Sequence, residues 1–79
     1  MALYFFDTND GDIFMEDDVG TEYSDLALVK VDAATTLAEI ARDAVSKSVR
    51  RELSVAVRDE LGPVLLTRMM FETIVLRNA

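Results

Sequence analysis

Hydrophobic and polar positions follow three different rhythms along this chain. Leu3-Tyr4-Phe5-Phe6 is a short aromatic run with strand character, and Ile13-Phe14-Met15 follows it across Asn9-Asp10-Gly11. Asn, Asp and Gly tolerate the positive φ angles of tight turns, so the two runs are predicted to form a first hairpin. After the polar connection Asp17-Asp18-Val19-Gly20-Thr21-Glu22 the rhythm lengthens. Leu26, Val29, Ala33, Leu37, Ile40 and Ala44 fall on one stripe at a spacing of about 3.6 residues, opposite Asp32, Thr35, Thr36, Glu39, Asp43 and Ser46. That spacing predicts an amphipathic helix from Ser24 to about Lys47. Ser24 is its expected N-cap, Asp25 an acid in the first turn, and Tyr23 with Leu28 a hydrophobic staple.

Beyond Arg50-Arg51 side chains alternate. Leu53, Val55 and Val57 interleave with Ser54, Ala56 and Arg58, as in a half-buried strand. Asp59-Glu60-Leu61-Gly62 suits a type I turn, and Pro63, which cannot donate to a ladder, belongs at the start of the next strand. Val64 to about Ile74 is predicted as that strand, with Leu65, Met69 and Phe71 on one face and Val64, Leu66 and Met70 on the other.

The order is ββαββ in a single domain spanning residues 1–79. It predicts an α+β fold: a four-stranded, mostly antiparallel sheet with one amphipathic helix on one face. Which strand of the first hairpin lies beside the last strand stays open. The far face of the sheet has no cover within the chain, and apolar side chains point both ways from the last strand. A strand of that kind is central, covered on both sides, or part of an interface. The surplus predicts a partner, a second copy first of all. Leu65, Leu66, Met69, Met70 and Phe71 are the expected contacts, with Tyr4 and Phe6 secondary.

Composition narrows the function. The chain has 51% hydrophobic residues, enough for a packed core, but only 79 residues in which to build it. A single core of this size supplies roughly 3–5 kcal/mol, and dimerisation is an available support. There is no Cys, His or Trp. Disulfides are thus impossible, and tight zinc sites, thiolate nucleophiles and the commonest neutral-pH acid–base catalyst are excluded. No cofactor is expected. The net charge of −7 argues against nucleic acid or an anionic membrane as partner. No run is apolar for long enough to span a bilayer. The apolar opening lacks a basic lead and meets Asp7 early, so a cytoplasmic location is expected.

The charge is also uneven. Residues 1–25 hold eight acids and no base, whereas Arg42, Lys47, Arg50 and Arg51 cluster further on. That split calls for pairing across strands or between copies. Asp7 to Ile13 resembles a calcium loop, but placing Gly11 at its glycine position puts Phe6 where the first ligand belongs. Ser46-Lys47-Ser48 is a poor nucleophile–base pair, because helix neighbours point in different directions. The leading expectation is a non-enzymatic, self-associating protein-interaction domain, and another protein partner remains open. The alternative is small-ligand or divalent-cation binding at the acidic N-terminal hairpin. A third reading docks the basic helix end on an acidic protein.

Several segments occur together in a known order: Tyr4-Phe5-Phe6-Asp7, Asp10-Gly11, Asp17-Asp18-Val19-Gly20-Thr21-Glu22, Ser24-Asp25-Leu26 and Asp59-Glu60-Leu61-Gly62-Pro63-Val64-Leu65-Leu66. The set resembles a family of short uncharacterised proteins of rhizobial and related alphaproteobacteria, a domain of unknown function. The resemblance implies a one-domain α+β fold in a bacterial cytoplasm and carries no activity or site residue. Pro63 departs from that pattern, where a polar or basic residue is usual.

Overall fold

The computed structural model describes residues 1–78, and in it the helix starts one residue later than the pattern predicts. Asp25, not Ser24, is the N-cap: its backbone is extended and its carboxylate accepts a hydrogen bond from the Leu28 amide at 3.1 Å. Helix α1 runs over Leu26–Ala44 and tightens into a 3-10 turn at Val45–Lys47. Its buried face is Val29, Ala33, Leu37, Ala41 and Ala44. Ala41 thus joins the stripe, while Ile40 is half-buried and Leu26 exposed. The expected staple does not form. Leu28 is exposed, and the Tyr23 ring packs against Tyr4 and Phe6, at centroid distances of 5.9 and 5.7 Å.

Five strands form the sheet: β1 Ala2–Asn9, β2 Phe14–Met15, β3 Thr21–Tyr23, β4 Arg50–Asp59 and β5 Gly62–Glu72. All pairings are antiparallel, in the order β2-β1-β4-β5, with β3 also on β1. The α+β class agrees with the pattern, but the four-strand count does not. The strand returning from the first turn is broken in two. Thr8 and Asn9 pair with Met15 and Phe14, then Tyr4, Leu3 and Ala2 pair with Thr21, Glu22 and Tyr23. Between these pairings residues 16–20 have only residues 5–7 to run beside, so the longer segment must bow out of the ladder.

The two hairpins join through β1 and β4, from Phe5↔Arg58 to Asn9↔Ser54. Neither strand of the first hairpin therefore lies beside β5. The strand that is apolar on both faces is an edge strand, paired with β4 alone.

Leu53, Val55 and Val57 are at most 1% exposed and lie under α1. Residues opposite one another in a ladder share a face. Phe6 and Thr8 of β1, and Leu65, Thr67 and Met69 of β5, therefore lie on the helix side. Asp59↔Gly62 closes the second hairpin, with Gly62 at φ 122° and the Asp59 carboxylate accepting from the Leu61 amide at 2.8 Å. A bulge between Val57 and Arg58 lets Pro63 sit opposite Arg58, so pairing reaches the turn despite the proline. The fully buried core contains no aromatic residue, and three of its eight members are alanines. The radius of gyration is 14.8 Å, against about 12 Å for a compact chain of this length. A thin core inside an elongated body leaves much apolar surface outside.

Candidate interaction surface

The acidic loops are tied to the sheet by their own backbone and by two arginines of β4. At the first turn, the Asp10 carboxylate accepts from the amides of Asp12 and Ile13 at 3.0 and 2.9 Å. Arg51 donates to the Asp10 carbonyl at 3.1 Å and to the Asp12 carboxylate at 3.0 Å. The amide hydrogen bonds, aided by Arg51, hold the Asp10 carboxyl below its ordinary range.

Asp17 anchors the bowed segment. Its Oδ1 accepts from Val19 and Gly20 N–H, each at 3.0 Å, and its Oδ2 accepts from Phe6 N–H at 3.1 Å. These amides, Gly20 foremost, keep its carboxyl low. Asp7 is buried beside it, accepting from the Asp17 amide and from Arg58 Nε, both at 2.9 Å. Arg58 also donates to the Asp17 carbonyl at 2.8 Å and lies 4.5 Å from the Phe5 ring centroid. Gly20 needs its φ of 80°, and a Cβ there would sit 2.9 Å from Phe5 Cε1 and 3.0 Å from Leu3 Cδ1. Residues 16–20 therefore cover Leu3 and Phe5, on the face away from the helix. For Arg51 and Arg58, the uneven charge resolves within one chain. Among the described residues no group of three or more acidic side chains is placed to hold a metal ion.

On the helix side Tyr23 donates its hydroxyl to Asp32 at 2.6 Å, and burial followed by this hydrogen bond raises its phenol to about 12. A phenol whose folded value lies above its unfolded value stabilises the fold fully below the unfolded value, about 10. That contribution disappears as pH rises through about 12. Melting temperature is expected to fall across this alkaline window, and less steeply in Tyr23→Phe than in the wild type. Equal slopes would separate Tyr23 from the effect.

The expected contact residues divide between the two faces. Tyr4, Phe6 and Leu65 pack at the margin of the core, and Met69 and Phe71 share their side by register. Leu66 and Met70 lie on the opposite face, each 58% exposed. Ser54 and Ala56 back them on β4, and Glu52 stands opposite Met70. Residues 16–20 meet β4 at Arg58, and Leu66, Arg68 and Met70 on this face of β5 are exposed. Sequence reasoning did not anticipate the open edge of β5, nor the exposed Ile74, Val75 and Leu76 that follow it. An apolar run carries a signal of burial but none of strand order.

A family profile described as "Domain of unknown function (DUF6894)" matches residues 3–70. That span covers the helix and nearly the whole sheet. No curated protein and no solved structure matches the chain. Among the described residues no helix is long and apolar enough to cross a membrane.

Proposed function

Because the chain belongs to the family of unknown function DUF6894, whose description assigns no chemistry, we propose a role from geometry: a small, non-enzymatic domain that associates with itself through the β4–β5 hairpin. One observation carries this reading. The longest strand of the sheet is an edge with a single neighbour, and Leu66 and Met70 stand exposed on its face away from the helix. Burying apolar area of this kind contributes roughly 25 cal/mol per Å², against which stand the lost rigid-body freedom and side-chain ordering of association. The thin alanine-rich core gives the monomer reason to need it.

Cation binding at the acidic hairpin has weaker support, since Asp10 and Asp17 already accept amide hydrogens and Asp12 faces Arg51. Catalysis has weaker support still, because the chain has neither His nor Cys. An alphaproteobacterial cytoplasm as its setting rests on the resemblance of the turn segments alone.

The test is the mass of the native protein in solution, beside Leu66→Asp. Wild type is expected as a dimer at micromolar concentration, and Leu66→Asp as a monomer with its helical circular dichroism intact. Phe71→Asp is a poorer probe, since Phe71 lies on the helix side and its change would also disturb the fold. A wild-type monomer, or one carrying extra mass, would overturn the reading in favour of a ligand or another protein.

A further inference from the structure

We propose that two β5 edges pair antiparallel about a twofold axis at Met70, joining two sheets into one continuous sheet. This rests on the self-association read above and adds its register. β5 is the last strand in the order, so one side of its 11 residues presents backbone N–H and C=O groups to no strand of its own chain. Edge strands are commonly guarded by a lysine, a proline or a bulge. Here the proline and the bulge both lie beside the turn, at Pro63 and opposite Arg58. The stretch from Leu66 to Glu72 has neither proline nor bulge, and its two charges, Arg68 and Glu72, are of opposite sign.

Charge selects the register. Opposed residues share a face, so a twofold axis through the sheet must bring one residue against its own copy. With Arg68 on the axis two guanidiniums meet, and with Glu72 on the axis two carboxylates meet. Like charges directly opposed are unfavourable. With Met70 on the axis, Arg68 faces the partner's Glu72 and Glu72 faces the partner's Arg68. Both residues are exposed, and neither belongs to an ion pair among the described residues. The remaining pairs also match in kind: Met69 with Phe71, Thr67 with Thr73, Leu66 with Ile74. Ile74 is 68% exposed and acquires a neighbour in this arrangement. Pro63 falls outside the paired stretch, so its missing N–H costs the new ladder nothing.

The absence of cysteine gives a direct test. Opposed Cα atoms on antiparallel strands lie about 4.5–5.5 Å apart, inside the window a disulfide needs. Met70→Cys is expected to form a covalent dimer under mild oxidation. Leu61→Cys, 97% exposed at the turn, is the control and is expected to stay monomeric on a non-reducing gel. Arg68→Glu and Glu72→Arg should each weaken the dimer roughly tenfold, because the changed pair occurs twice by symmetry. The double variant should recover near wild-type association. A monomeric wild type would remove self-association and the register together. A dimeric wild type whose Met70→Cys cross-links no faster than Leu61→Cys, with no rescue by the double variant, would overturn the register alone.

Discussion

Leu53→Ala is expected to cost about 3–4 kcal/mol and to lower the melting temperature by about 15 °C or more. Leu53 is fully buried and among the largest of the fully buried side chains. It sits on the central strand β4, flanked by β1 and β5 and roofed by α1. Three of the eight core residues are alanines, so the packing has little spare volume with which to close a cavity. A domain of this length has roughly 4–12 kcal/mol in all, and a thin core places it toward the low end. The variant therefore stands at the edge of unfolding. Urea titration at fixed protein concentration checks it, since any association adds to apparent stability. A loss below about 1 kcal/mol would mean that the site collapses far more easily than its burial implies.

Asp17→Ala should cost about 2–3 kcal/mol, an effect unusual for a loop residue. Three amides lose their acceptor at once, those of Phe6, Val19 and Gly20. The bowed segment then has less to hold it over Phe5, and the shelter of Asp7 weakens with it. Asp17→Asn should not rescue the loss. Both carboxylate oxygens accept, so an amide NH₂ in either position would face an N–H donor. The same geometry fixes a pH dependence. The Asp17 carboxyl is lowered in the fold by its amide bonds, so its stabilisation is present above the unfolded value near 4 and is lost as pH falls through the folded value. The acid limb of wild-type stability should be shallower in Asp17→Asn. An acid limb unchanged by the substitution would assign it to other carboxylates.

Local periodicity carried most of the fold. The helix stripe from Val29 to Ala44, the alternation through Leu53, Val55 and Val57, and the turn at Asp59-Glu60-Leu61-Gly62 were all legible, because each is set by neighbours in sequence. The N-cap moved by one residue because both Ser24 and Asp25 can cap, and only the backbone angles decide between them. Strand order was not legible: β1 finds β4 through pairings that no local pattern encodes. The roles of Asp7, Asp17 and Arg58 were hidden for the same reason, since an acid in a polar loop reads as solvated until its distant partner is known. On the candidate surface, the apolar excess of the last strand was visible. Its division between the helix side and the open side required the register with β4.

The pairing of β1 with β4 also fixes when this protein can fold. The hydrogen bond between Arg58 and Asp7 joins residues 51 apart in sequence. During synthesis the N-terminal hairpin leaves the ribosome first, yet β1 has no central neighbour until β4 emerges. The β4–β5 hairpin, with its tight turn, is the kinetically local unit, while the β1–β4 ladder must close a long loop. The last third of the chain is therefore expected to nucleate the sheet, with the first third docking onto it. A chain ending before residue 50 would hold the first hairpin and the helix, with no β4 for either to pack against.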